Sequence, residues 1–300
     1  MFGKFLDPKN DFAFRKIFGT EKNKDILIHF LNDVIEFEKG DPIQEVSFLK
    51  TIQDPEIKAQ KTSIVDILCQ DENGNRYIVE MQVAKEKGFE KRAQYYASKA
   101  YSSQLNAQEQ FHKLRSVIFL AITDFVMFPQ KKGYKSDHVI LDKISYENDL
   151  KDFSFTFLEL PKFNKNIDQL SNIVEMWMYF FKHAEETSRE DLQKLAQEHA
   201  IARAYEELDR FGWNEQELLT YEQTWKYEAT YIASMEQKFD EGIAEGLARG
   251  RAEGYAEGAK LALTKVAHQM LKQGVSVVDI HHITGLSEEE ILTESAERKG

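Results

Sequence analysis

Residues 63–83 read SIVDILCQDENGNRYIVEMQV, two apolar runs on either side of a short polar segment. Each run has strand length and is rich in β-branched and aromatic residues. Asn73–Gly74 between them tolerates positive φ at both positions, so the spacing predicts an antiparallel hairpin. Each run also carries one acidic residue, Asp66 or Glu80, in apolar surroundings where an ionised carboxylate is costly unless paired or bound to a metal. With Asn73–Gly74 as the turn centre, Asp66 falls opposite Met81, one place from Glu80, so the two carboxylates are expected nearly face to face. Gln82 lies two residues beyond Glu80 and projects from the same side of the strand. Asp66, Glu80 and Gln82 can therefore converge. Hard oxygen ligands on rigid strands suit Mg²⁺ (or Mn²⁺), with the Met81 backbone carbonyl as a third ligand. Such an ion polarises a phosphodiester and lowers the pKa of an attacking water. The plainer reading makes both acids solvent-facing members of alternating strands. Against it, Ile64 and Leu68 share a face with Asp66, and Ile78 shares one with Glu80.

Outward from this hairpin the pattern is mixed. Ile26, Leu27, Phe30, Leu31, Val34 and Ile35 recur at helical spacing in a first forty residues that read as helix, with Gly40–Asp41–Pro42 as the stop. Residues 46–52 alternate loosely as a strand. After Gly88 a helix is predicted through about Leu105, then strands over Val117–Ile122 (buried on both faces), Val139–Ile144 and Phe153–Leu160. From Ile167 onward everything reads as helix. Ser188 with Asp191 resembles a capping box opening a helix through about Arg210, and a further helix spans roughly Asn214 to Phe239. Gly242, Gly246, Gly250, Gly254 and Gly258 then recur every fourth residue. Three segments are expected: 1–163, 164–240 and 241–300, the last ending in a helix-turn-helix-like unit, MLKQGVSVVDIHHITGLSEEEIL, that is poor in basic residues.

Composition narrows the class. In 300 residues, 42% hydrophobic and 12% aromatic side chains support a sizeable core and exclude global disorder. The apolar run Ser116–Phe128 is interrupted by Asp124 and falls short of the roughly 20 residues of a membrane helix. The opening MFGKFLDPKND has no secretory pattern, so a soluble cytoplasmic protein is expected. A single cysteine, Cys69, excludes an intramolecular disulfide and a multi-cysteine zinc site. The net charge of −12 argues against nucleic acid at first sight, but residues 1–160 carry 23 basic and 25 acidic side chains, leaving −10 for the rest. A near-neutral first half leaves room for a local basic face.

A helix, strands bearing an Asp, a turn, a strand bearing Glu-x-Gln, and a helix beginning FEKRAQYYASKAY together resemble the PD-(D/E)xK nuclease superfamily. Within it, DPKNDFAFRKIFG followed by ILIHFLNDVI, and the EGxxEG tail, are similar to the recombination-promoting nuclease and transposase group. The resemblance covers nearly the whole chain, best over residues 7–160. It implies an α/β (α+β) restriction-endonuclease-like mixed-sheet core of order αβββαβ, followed by an all-helical C-terminal region. It also implies divalent-metal-dependent DNA cleavage, with Asp66 and Glu80 as metal ligands. Gln82 stands where the superfamily pattern has lysine, although glutamine is the form found in the recombination-promoting group that the chain resembles; its amide donates hydrogen bonds but carries no charge. Lys85 and Arg92 are candidates for the missing cation, each set against the reading of a solvated surface charge.

Asp11 reads as a helix cap or, following the resemblance, as an auxiliary first-helix carboxylate beside the metal. Arg92 and Tyr96, four apart on one helical face, suit a phosphate clamp with a stacking ring, whereas tyrosines at that spacing also serve as plain core. The expected partner is DNA, with no membrane and with self-association through the Gly-rich segment or use of it as a tether. The alternative is a catalytically silent nuclease-fold module that binds DNA or protein.

Overall fold

The computed structural model describes residues 4–37, 42–53, 63–106 and 108–293; Gly40 and Asp41 of the expected helix stop, and the Ile64 side chain, lie outside what is described. The chain forms two compact units, Met1–Glu228 and Ala229–Gly300.

In the first unit the N-terminal region is two helices, α1 (Asp11–Phe18) and α2 (Lys24–Val34), separated at Gly19–Thr20. Asn10, not Asp11, caps α1: its side chain accepts from the Phe12 and Ala13 N–H groups. Strands β1 (Val46–Phe48), β2 (Ile52–Gln53), β3 (Ser63–Ile64), β4 (Ile67–Asp71) and β5 (Arg76–Gln82) follow, then α3 (Phe89–Ser102) and β6 (Val117–Thr123). This is the αβββαβ order, with β1, β4 and β5 as three strands adjacent in the sheet and β2–β3 as a separate two-stranded ribbon between β1 and β4 in the chain. Two more strands, β7 (Lys135–Val139) and β8 (Phe153–Glu159), complete a six-stranded mixed sheet of order β1-β4-β5-β6-β8-β7. β6, VIFLAIT, is buried at every position and lies between β5 and β8, parallel to both. A parallel β5–β6 pair needs a crossover, which α3 supplies.

Alternation along β5 divides the core. Tyr77, Val79 and Met81 pack with Phe14, Phe18 and Phe30 of α1 and α2. That layer also takes Trp177 and Phe181 of α4 (Ile173–His183) and Ile201 and Tyr205 of α6 (His199–Leu208). Ile78 packs on the opposite face beneath α3, where Ala93, Ala97 and Ala100 are fully or almost fully buried and bring the helix close to the sheet. Glu80 shares that parity, so α3 overhangs it.

Three elements differ from the sequence reading. The helix opened by Ser188 is two helices, α5 (Arg189–Leu195) and α6, because Leu195 and Ile201 are six residues apart and one helix cannot bury both on the same side. The strand expected at 139–144 is instead β7 at Lys135–Val139. Beyond it, Asp142 Oδ1 accepts from the Ile144 and Ser145 N–H groups in a turn, and Ile144 is 89% exposed. Finally, the stretch Ser63–Cys69 is interrupted at Val65–Asp66.

In the second unit, α7 (Glu215–Lys272), which begins in the first, runs helical through all five spaced glycines, and a side chain added at any of them would meet no neighbour among the described residues. Its last turns pack through Ala267 against α8 (Val277–Thr284) and α9 (Glu288–Leu292), with Ile280, Leu286 and Ile291 as a small core. Ser287 and Glu290 form a capping box at the start of α9.

Candidate active site

The β4–β5 connection sets the register. Asp71 Oδ1 accepts from the N–H groups of Asn73 (2.9 Å) and Asn75 (2.8 Å), and Gly74 adopts φ 85°, so the loop is longer than two residues. Its centre is Asn73. Ile67 therefore pairs with Val79 and Leu68 with Ile78, which puts Asp66 in line with Glu80 itself rather than with Met81.

At that point the ladder stops and side chains replace it. The Asp66 N–H donates to Glu80 Oε1 at 3.2 Å, and the Met81 N–H donates to Asp66 Oδ2 at 3.0 Å. The two acidic residues thus satisfy each other's strand in place of a backbone pair. The N–H and C=O of one strand residue share an edge, so the Met81 carbonyl also lies on the Asp66 side. Gln82 Nε2 donates to Glu80 Oε2 at 3.0 Å.

Two arginines bracket the pair. From α3, Arg92 donates to Gln82 Oε1 and to the Glu86 carboxylate, and its Nη2 is 4.0 Å from Glu80 Oε2. Its guanidinium lies 4.8 Å from the Phe89 ring centre and 5.9 Å from that of Tyr96. From α1, Arg15 Nη2 donates to Asp66 Oδ1 at 2.9 Å and lies 3.9 Å from Asp11 Oδ2. Burial, reinforced by Asp66, holds the Glu80 carboxyl well above the usual carboxylate range, with Arg92 pulling the other way. Burial and Asp66 also push Asp11 up to about 6, against Arg15.

The predicted residues divide accordingly. Asp66, Glu80, Gln82, Met81 and Arg92 come together. Asp11 joins them through Arg15 and through its field rather than as a cap. Tyr96 stands against Arg92 beside a cleft of about 370 Å³ that Glu86, Lys87, Lys91 and Tyr95 also line. Lys85 does not join: it is exposed and donates to the Val126 carbonyl at 3.2 Å. Arg15 was missed, although its place one turn after Asp11 in DFAFRKIF puts it on the same helical face. Cys69 is buried and its thiol is pushed up to about 12, as suits an inert core residue.

The donor set fits a hard dication. It offers two carboxylates, one of them buried and in need of positive charge, and a backbone carbonyl on the same side. Among the described residues no three Asp, Glu, His or Cys side chains form a complete metal cage. Water would have to fill the other positions, which is how Mg²⁺ is usually held.

A family model described as PD-(D/E)XK nuclease family transposase matches residues 8–238. A second, the C-terminal HTH domain of the Rpn/YhgA-like nuclease family, matches residues 260–294, the segment that holds α8 and α9. No curated protein and no solved structure matches the chain.

Proposed function

The chain belongs to the PD-(D/E)XK nuclease family of transposases, and from that premise we propose that it is a metal-dependent endonuclease that hydrolyses DNA phosphodiester bonds. Mg²⁺ or Mn²⁺ would be held by Asp66, Glu80 and the Met81 carbonyl. The observation that carries this reading is the interrupted strand at Val65–Asp66, where the Asp66 N–H meets Glu80 Oε1 and the Asp66 carboxylate meets the Met81 N–H.

When bound, the dication supplies Lewis-acid polarisation of the phosphate and a more acidic attacking water. The protein's own groups do the rest. Asp66 and Glu80 provide paired negative charge on strands too rigid to splay. Gln82 aligns Glu80 through its amide and fixes Arg92 through its carbonyl, so amide and guanidinium together take the place of the superfamily lysine. Arg92 then has a fixed positive charge for a phosphate oxygen, and Tyr96 steadies it with its ring. Asp11 holds Arg15 in reach of Asp66.

DNA is the proposed partner, with the HTH-like end as a second contact and the exposed Gly-rich part of α7 as a route to self-association. No helix among the described residues is long and apolar enough to cross a membrane. A cytoplasmic location is part of the proposal, since that is where such a substrate is met. The labour would divide as 1–163 for cleavage, 164–240 for support and 241–300 for assembly and a second DNA contact.

The test is nicking of supercoiled plasmid by the full-length chain with Mg²⁺, with EDTA, and with Asp66→Asn or Glu80→Gln. Cleavage is expected to stop in EDTA and in both variants; undiminished nicking by the variants sinks the assignment. The uncharged Gln82 favours one competitor, a silent module. That reading requires DNA or protein binding with no cleavage by the wild type.

A further inference from the structure

Arg15 is not one of the acidic or Glu-x-Gln residues of the nuclease pattern, yet it occupies a decisive atom. Of the two Asp66 oxygens, Oδ2 is taken by the Met81 N–H at 3.0 Å, and Oδ1 by Arg15 Nη2 at 2.9 Å. Oδ1 is therefore the oxygen that a dication must share or take over. The two partners are unequal in mobility: the Asp66 side chain is 10% exposed and that of Arg15 46%. Arg15 also lines a cleft of about 440 Å³, together with Phe12, Lys16, Thr20 and Lys22. There Lys16 and Lys22 pair with Glu217 and Glu207, whereas Arg15 pairs with the two aspartates of the site.

We infer that Arg15 is an exchangeable counter-ion: it neutralises Asp66 in the metal-free protein, then yields Oδ1 and turns to a phosphate oxygen of DNA lying along this cleft. The inference rests on the reading of Asp66 and Glu80 as the metal pair. A guanidinium suits the exchange because its planar fork matches carboxylate and phosphate equally. Metal and DNA then assist one another. Without DNA, Arg15 competes for Asp66; with DNA, Arg15 has another anion to hold.

The experiment titrates Mn²⁺ calorimetrically into the full-length chain without DNA, for wild type, Arg15→Gln, Arg15→Lys and Asp66→Asn, and measures plasmid nicking for each. Arg15→Gln is expected to bind Mn²⁺ about fivefold more tightly, the scale of an exposed ion pair. Its nicking should fall by about tenfold or more, the scale of a lost hydrogen bond to a charged group. Arg15→Lys keeps the charge without the fork, so wild-type Mn²⁺ affinity returns and nicking does not. A purely structural arginine would lower both quantities together. Unchanged or weaker Mn²⁺ binding by Arg15→Gln, with binding abolished in Asp66→Asn, overturns the counter-ion role and leaves the metal pair standing. Equal Mn²⁺ binding by Asp66→Asn and wild type, or none by wild type, overturns the metal pair and the Arg15 exchange with it.

Discussion

Substituting Gln82 by lysine places an ammonium group where Gln82 Nε2 now donates to Glu80 Oε2 at 3.0 Å. The same change removes Gln82 Oε1, the acceptor of Arg92 Nη2. Losing a hydrogen bond to a charged group costs about 1.5–3 kcal/mol. The new ammonium attracts Glu80 and repels Arg92. At separations near 4 Å each effect is on the order of 4 kcal/mol at an effective dielectric of about 20, and the two nearly cancel. The lost acceptor decides the sum. Gln82→Lys is therefore expected to lower stability by about 1.5–3 kcal/mol and to leave cleavage no faster, although it restores the residue of the superfamily pattern.

The companion variant tests the cause. Arg92→Gln removes the repelling charge, and Glu86, the partner it abandons, is 39% exposed and readily hydrated. Gln82→Lys combined with Arg92→Gln should be more stable than Gln82→Lys alone and recover nicking, with a coupling energy of about 1–3 kcal/mol between the positions. Denaturant melts and plasmid nicking of the four proteins in the cycle supply the numbers. A Gln82→Lys protein as stable as wild type and faster, with coupling below about 0.5 kcal/mol, would refute the idea that Arg92 and Gln82 jointly replace the lysine.

Two further expectations concern a buried acid outside the site and a ring within it. Burial acts to raise Glu175, but Lys165, the Ser171 N–H and Tyr134 outweigh it and hold the carboxyl at about 2, below the ordinary 4.5. Its charge-linked contribution to stability is then complete above pH 4.5 and is lost as pH falls through about 2, so Glu175→Gln should cost at most about 3 kcal/mol at pH 7 and less than about 0.5 kcal/mol at pH 2. Denaturant melts across that range check it; a gap that does not change with pH contradicts it. Tyr96 supports Arg92 with its ring, so Tyr96→Phe should keep DNA affinity while Tyr96→Ala weakens it about three- to tenfold, measured by fluorescence anisotropy. Equal loss in both variants would mean that the hydroxyl, not the ring, matters.

The layered sheet was legible because its strands are short, apolar and separated by strong turn signals. The all-apolar run Val117–Ile122 pointed to a central strand, and β6 has that place between two parallel neighbours. What misled was apolarity without burial. Residues 139–144 look like a strand, yet Val139, Ile140 and Leu141 are each more than 40% exposed, while the actual edge strand begins with the polar KSDHV. An edge strand has one partner and one open side, so its pattern need not be hydrophobic. The N-terminal region illustrates the opposite effect. Asn10 outcompetes Asp11 as the cap because its amide also donates to the Tyr221 carbonyl, a contact 211 residues away in sequence.

The site was legible to the extent that strand parity governs it. Asp66, Glu80 and Gln82 fall together because β4 and β5 pair through a tight loop, and a one-residue difference in register improved the alignment of the acids rather than undoing it. The interruption at Asp66 followed from no local period. SIVDIL has the composition of an unbroken strand, and only the exchange of backbone partners for carboxylates, Asp66 N–H to Glu80 and Met81 N–H to Asp66, makes a break tolerable there. That exchange uses one oxygen of each acid on the fold itself. The remaining oxygens, Asp66 Oδ1 and Glu80 Oε2, face Arg15 from α1 and the Gln82–Arg92 pair beneath α3. Each acid therefore has one structural oxygen and one open to exchange, so ligand binding at the second need not cost the strand connection held by the first.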